Sequence, residues 1–183
     1  LKKAWGKELL YQDYRVGPYC PRCGTSLSSH EVAQGYKKVK EPAIYVKFEL
    51  KGKPGAYLLV WTTTPWTLPG NVAVAVNPKF IYVKVKIRNE ILILAKERLN
   101  IFGETYEILE EIKGKDLLGL EYKPLYAEIR SPKEIESPNI DKVIAADFVS
   151  LKEGTGLVHI APAFGVDDMM VGKKNNLPVI LNV

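Results

Sequence analysis

From Ala43 the sequence takes up a period of two, with Ile44, Val46, Phe48 and Leu50 alternating against Tyr45, Lys47 and Glu49. Side chains on a strand point to opposite faces in turn, so this pattern predicts a strand with one buried face. Ala56 to Thr62 is apolar on both faces and predicts a more central strand. Val72 to Val76 follows, and Phe80 to Arg88 alternates again before Asn89 and Glu90 turn the chain into Ile91 to Leu94, a predicted hairpin. Further strands are expected at Thr105 to Glu110, Val143 to Phe148, Leu157 to Ile160 and Pro178 to Asn182. Short helices are expected at Lys96 to Phe102, stopped by Gly103, and at Lys115 to Leu120. Many short strands with little helix between them predict a mainly β (α+β) fold. Its core would be a closed or nearly closed antiparallel β-barrel of about six strands with short peripheral helices, not a doubly wound parallel sheet.

Ahead of that region, Leu1 to Tyr14 sets Trp5, Leu9 and Leu10 at helical spacing and predicts one amphipathic helix. Residues 17–24, Gly-Pro-Tyr-Cys-Pro-Arg-Cys-Gly, predict a tight knuckle, continued as polar loop from Thr25 to His30. The 183 residues suit a single domain, with residues 1–30 as helix and knuckle and residues 31–183 as the barrel core. Ile129 to Asn139 predicts a surface loop. The chain starts at Leu1 and ends within an apolar run, Leu177 to Val183, which predicts a fragment of something larger. A hydrophobic fraction of 46% and a charged fraction of 26% suit a soluble globular chain. No secretion signal and no apolar run of about 18 residues are visible, so the expectation is a monomeric cytoplasmic protein without a membrane partner. The net charge of +5 comes from dispersed lysines such as Lys2, Lys47, Lys84 and Lys173, and fits a solvated surface as well as an anionic partner.

Two segments interrupt strand-like sequence with polar residues. In the first, Trp61-Thr62-Thr63-Thr64-Pro65-Trp66-Thr67-Leu68-Pro69-Gly70-Asn71, four threonines supply hydroxyls and two prolines stiffen their presentation. Threonine is also simply a good strand residue. The second runs Gly154-Thr155-Gly156-Leu157-Val158-His159-Ile160-Ala161-Pro162-Ala163-Phe164-Gly165-Val166-Asp167-Asp168 and holds one of two histidines, a Gly/Pro loop and two acids opening a helix toward Lys173. Either acid could serve as an ordinary helix cap. Cys20 and Cys23 form a Cys-x2-Cys knuckle, half of a four-thiolate zinc site, with His30 and His159 the only histidines to add.

Taken together, the segments WTTTPWTLPGN and GTGLVHIAPAFGVDD resemble the two signatures of the editing insertion of isoleucyl-tRNA synthetases. The stretches Cys20 to Tyr36 and Pro42 to Phe48 resemble the same enzymes, and the resemblance runs over essentially the whole chain. Valyl and leucyl relatives typically carry an arginine and a different sequel after the paired threonines, whereas Trp66-Thr67-Leu68 points to the isoleucine enzyme. The synthetic site's His-x-Gly-His and Lys-Met-Ser-Lys-Ser elements are absent, so ATP-dependent amino-acid activation is not expected of this stretch.

The resemblance implies hydrolysis of valine wrongly esterified to the 3′ end of tRNA(Ile), with valyl-adenylate left open as a second substrate. One methylene separates valine from isoleucine, worth only about 1–3 kcal/mol in an apolar pocket, a limit for which this pair of amino acids is the standard illustration. By resemblance, Asp168 binds the α-ammonium group, Thr63, Thr64 and Thr67 line the pocket and the terminal adenosine together with Thr62, Trp66 and Asn71, and His159 crowds the larger side chain. Asp168, Thr64 and His159 are the expected catalytic set. Positioned water is the expected nucleophile; a Thr-His-Asp triad fits the residue types but requires a base bonded to the hydroxyl. The resemblance also places a second cysteine pair outside this stretch, so Cys20 and Cys23 are expected as an incomplete metal site, with no cofactor in the fragment itself and zinc in the full-length enzyme. The remaining expected partner is the rest of the synthetase. The sequence departs from the family pattern in lacking the second histidine that many members carry near Phe164 and the threonine they carry near Ile160, and in having Gly70 in place of a small alanine, a change expected to be mild.

Overall fold

The computed structural model describes residues 1–103, 106–131 and 136–181. They form two compact units, Leu1–Lys38 and Val39–Val183.

In the first unit, helix α1 covers only Lys2–Trp5, far short of the helix predicted to Tyr14. Leu1 offers no side-chain cap, Gly6 follows directly, and Glu8 turns to a positive φ of 56°. A helix this short needs a buried face to persist, yet Trp5 and Leu9 are 63% and 73% exposed. The knuckle is a small antiparallel pair, β1 Tyr19–Cys20 with β2 Thr25–Ser26. Beyond it the predicted polar loop is instead helix α2, Ser29–Gln34, opened by a capping box between Ser28 and Glu31. Helix α2 lies within the first unit, which runs to Lys38.

The second unit holds strands β3 Ile44–Glu49, β4 Ala56–Thr62, β5 Ala73–Val76, β6 Ile81–Ile87, β7 Glu90–Ala95, β8 Glu107–Lys113, β9 Lys142–Ala145 and β10 Leu157–Ile160. Five form one sheet in the order β3-β4-β7-β6-β8, and three form another in the order β10-β5-β9. The predicted closed antiparallel barrel is therefore corrected: neither sheet closes, and β4–β7 and β5–β9 pair in parallel. Isolated bridges from Leu50 to Tyr122 and from Glu121 to Lys142 stitch the two sheets along one side. On the other side β10 runs beside β4 with no ladder between them. Strand β4 pairs with β3 along its length and with β7 only at Ala56–Leu58.

The β6–β7 hairpin forms as predicted, but Arg88, at φ 55°, and Asn89 make the turn while Glu90 already pairs with Ile87. The run from Lys96 to Phe102 is a 3-10 helix ended by Gly103 at φ 65°, and the next helical turn covers Gly114–Leu117. Strand β9 stops at Ala145, short of the predicted Phe148. Residues 178–181 form no strand, although Ile180 is fully buried; the rest of that predicted strand and the start of the one predicted from Thr105 lie outside the described residues. The loop predicted from Ile129 to Asn139 opens with a 3-10 turn, Ala127–Ile129, and its residues 132–135 also lie outside the described set.

All four residues of β5 are buried because the strand separates two apolar clusters. Val74 and Val76 face a core with Phe48, Leu58, Val60 and Leu157, while Ala73 and Ala75 face one with Val72, Ile144, Ile160 and Ile180. Each of the valine, leucine, isoleucine and phenylalanine side chains contributes about 1.5–3 kcal/mol when withdrawn from water. Strand period places His159 on the same face of β10 as Leu157, and so toward β4 across the unladdered seam.

Candidate active site

The first polar segment leaves β4 at Thr62 and winds into a 3-10 helix, Pro65–Gly70, with Pro65 at its first position, where a missing N–H is tolerated. The threonines bond to one another. Thr64 N–H donates to Thr62 Oγ1 at 3.1 Å, and the Thr67 hydroxyl donates to the Thr64 carbonyl at 2.8 Å. Thr64 Oγ1 lies 3.4 Å from the hydroxyl oxygens of both Thr62 and Thr67. Thr62 and Thr67 are buried and Thr63 and Thr64 half-buried, whereas Trp66 stands 58% exposed.

From the other side of the seam, His159 Nε2 comes within 3.3 Å of Thr67 Oγ1 and 3.5 Å of Thr62 Oγ1. The ring is 7% exposed, and burial depresses its pKa to about 4, so it is neutral at pH 7. Its Nδ1 is buried and bonds to no described residue.

One residue past β10, the Ala161 N–H donates to Asp168 Oδ2 at 3.0 Å, which folds the Gly/Pro loop back onto the strand end. Asp168 lies in the first turn of helix α3, Val166–Lys174, where Gly165 is the N-cap and makes no side-chain cap bond. Asp168 is therefore not the helix's cap. Burial raises its carboxyl to about 6, against the Ala161 hydrogen bond that lowers it, and the neighbouring Asp167 charge adds to the rise. Among the described residues no lysine or arginine bonds this carboxylate.

Gly70 lies against the Phe164 ring. A Cβ added at Gly70 would lie 2.7 Å from the Phe164 ring, so alanine there is not a mild change unless the ring moves. This contact seats the Asp168 loop on the threonine 3-10 helix.

Asn71 is 2% exposed, and its amide is committed within the protein: Nδ2 donates to the Ala73 carbonyl at 2.8 Å, and Oδ1 accepts from the Tyr122 hydroxyl at 2.7 Å. Arg130 donates to the Asn71 carbonyl at 2.6 Å and to both Asp141 oxygens at 2.8 and 3.0 Å. Tyr122, Arg130 and Asp141 escaped the reading of the sequence because each lies on a strand bridge or loop without local polar clustering.

In the first unit, the Cys23 N–H points at Cys20 Sγ at 3.4 Å and draws that thiol below its ordinary value. No group of three or more His, Cys, Asp or Glu side chains suited to a metal occurs among the described residues. Two thiols fit half of a tetrahedral zinc site and no more. No described helix is long and apolar enough to cross a membrane.

This mainly β unit has the fold of the editing domains of aminoacyl-tRNA synthetases. The leucyl-tRNA synthetase editing domain of P. knowlesi superposes with a TM-score of 0.59 at 15% identity, over 78% of this chain and 66% of that one. That of P. falciparum gives 0.52 at 18% identity, over 66% and 47%. No protein-family profile matches the chain. The isoleucine–tRNA ligase of Clostridium tetani is 57% identical over 182 residues, which is 98% of this chain and 17% of that enzyme. That of Pyrococcus horikoshii is 50% identical over 98% of the chain and 18% of the enzyme. The chain belongs to the isoleucyl-tRNA synthetase family and spans about a sixth of the length of these relatives.

Proposed function

We propose that this chain hydrolyses the ester of valine wrongly attached to tRNA(Ile), with the rest of a synthetase as the body that delivers the RNA end. The observation that carries the reading is Asp168. It is a half-buried carboxylate with one oxygen fixed by the Ala161 N–H, no cation bonded to it among the described residues, and a seat one loop away from the His159–threonine seam. An α-ammonium group is the cation common to all aminoacyl esters and would offset the cost of ionising that carboxylate.

In this reading Asp168 anchors the ammonium, Thr63, Thr64 and Thr67 face the ester and the terminal ribose, and Trp66 offers an exposed ring to the RNA end. His159 and Thr62 form the floor that admits valine and crowds out isoleucine. Water is the nucleophile: its oxygen bonds to the ester carbonyl carbon, the carbon–ribose oxygen bond breaks, and the proton passes to the departing ribose oxygen. Hydroxyls and backbone N–H groups stabilise the intervening oxyanion. Three features favour water over a Thr-His-Asp triad. The threonine–imidazole separations of 3.3 and 3.5 Å are long for base activation, His159 Nδ1 has no acid behind it, and Asp168 is bonded elsewhere.

Cys20 and Cys23 would hold half of a zinc ion completed by ligands from outside this chain. The test is release of amino acid from valyl- and isoleucyl-tRNA(Ile) by the chain and by the synthetase that contains it. Preferential release of valine is expected; equal release of both, or none by either protein, would refute the reading.

A further inference from the structure

The two halves of the site sit on different elements that join at a single bend. Thr67 belongs to the 3-10 helix ending at Gly70, while His159 lies on β10, paired opposite Val74 of β5. Asn71 and Val72 connect them, so the angle of the chain at this point sets the 3.3 Å separation of Thr67 Oγ1 from His159 Nε2.

That bend is held by more bonds than a turn of its length needs. The Asn71 N–H closes the 3-10 helix onto the Leu68 carbonyl at 3.0 Å, and its side-chain amide reaches forward to Ala73. The Tyr122 hydroxyl then fixes Asn71 Oδ1, and the Arg130 guanidinium fixes the Asn71 carbonyl. Val72 donates to Ile160 at the end of β10 and accepts from the Asp141 N–H. Asp141 accepts from Arg130 Nη1 with both its oxygens, in an ion pair whose side chains are only 3% and 11% exposed. Tyr122 is wholly buried, edge-on to Phe48 with ring centroids 5.1 Å apart. A buried ion pair of this kind costs desolvation and is poor evidence of added stability, but Nη1 of the rigid, planar guanidinium reaches both Asp141 oxygens while Nη2 reaches the Asn71 carbonyl, so the one group holds the other two at a fixed spacing.

We infer that Tyr122 and Arg130 are positioning residues for the proposed hydrolytic site: through Asn71 they set the distance between the threonine 3-10 helix and His159, and neither touches substrate. The inference rests on the function proposed above, and one of its tests does not depend on activity.

Tyr122→Phe removes one hydroxyl and keeps the ring packing. Arg130→Lys keeps the charge beside Asp141 and loses the fork that reaches Asn71. In the folded 183-residue chain, each variant is expected to move the His159 imidazole resonances in two-dimensional NMR while the amide signals of β6, β7 and β8 stay in place. Against valyl-tRNA(Ile), kcat should fall about 10- to 100-fold with KM changed less than about 2-fold, the signature of lost alignment. Unmoved His159 resonances in both folded variants would overturn the inference whatever the activity shows. Should Arg130→Lys fail to fold, Tyr122→Phe decides alone. A wild-type chain inert toward every aminoacyl ester refutes the proposed function, and the NMR comparison then judges the coupling by itself.

Discussion

The outer surface of the five-stranded sheet and the seam between β4 and β10 are both rich in polar side chains, and they treat them in opposite ways. Around the sheet, Lys47 pairs with Glu90, Lys84 with Glu110, Lys96 with Glu111 and Lys123 with Glu49, every pair reaching solvent. Along the seam and the loop leaving it, a neutral imidazole lacks a partner on one nitrogen and a half-buried carboxylate has no counter-ion among the described residues. The charges paired at the sheet surface are thus satisfied and inexpensive, whereas a few poorly satisfied groups sit where desolvation is costly. Polar groups left unsatisfied where water is largely excluded are those available to a ligand.

The largest expected break in this contrast is Asp168→Ala. With the ammonium anchor gone, valyl-ester hydrolysis should fall by about 100-fold or more, the scale on which lost orientation is felt. The thermal midpoint should fall modestly, because the buried Ala161 N–H loses its acceptor at a cost of about 1–3 kcal/mol, partly offset by removal of a carboxylate that is costly to bury. Retained turnover with this variant would remove Asp168 from the site. His159→Ala should come next. Enlarging the floor should let isoleucyl-tRNA(Ile) be cleaved and shrink the preference for valine by about 10-fold or more, since one methylene is worth only about 1–3 kcal/mol to begin with. Parallel deacylation time courses on the two esters read this directly, and an unchanged ratio would refute the steric role.

A third expectation separates the two groups by pH. The folded carboxyl of Asp168, near 6 against an ordinary 3.8, keeps its proton longer than the unfolded chain does, so its contribution to stability declines as pH rises from about 4 to about 6. Folded His159, near 4 against an ordinary 6.5, takes up its proton later than the unfolded chain, so its contribution declines as pH falls from about 6.5 to about 4. Between pH 4 and 6 the slopes oppose and largely cancel. Asp168→Asn should therefore uncover a stability that climbs with pH across that window, by up to about 1.4 kcal/mol per pH unit. Urea titrations at four or five pH values would measure it, and an unchanged slope would show that the two groups are not buried as described.

What could be read from sequence follows the range of the interactions involved. The strands of the five-stranded sheet were legible because alternation such as Ile81, Val83, Val85 and Ile87 against Tyr82, Lys84 and Lys86 is a local property. The threonine segment and the His159–Asp168 stretch were legible as interruptions of that alternation. The helix read from Leu1 to Tyr14 was not there to be found, since its periodicity has no apolar surface within its unit to bury against. Sheet closure was misread because pairing partners are long-range choices that alternation does not encode. The parallel β5–β9 pair depends on a connection running from residue 77 to residue 141. The Arg130–Asp141–Tyr122 support for Asn71 gathers residues from separate loops and strands, and no local pattern announces it. The capping box at Ser28 and Glu31, by contrast, was present as Ser-x-x-Glu and was passed over.

The smallest expected effect tests the other side of the contrast. Lys84 bonds Glu110 at 2.5 Å across the β6–β8 edge, and that contact, through its hydrogen bond first and its charge second, holds the Glu110 carboxyl below its ordinary value. Both groups reach water, where ordering two long side chains cancels most of the attraction. Glu110→Gln should therefore leave valyl-ester turnover and the valine preference at wild-type values and shift the unfolding midpoint by no more than the error of the measurement, with any residual shift vanishing in high salt. A loss of turnover here, equal to that from any substitution at the seam, would mean that the sheet's charged surface guides the RNA end and that its ion pairs open to do so. Polar groups on the two surfaces would then differ in exposure alone and not in function.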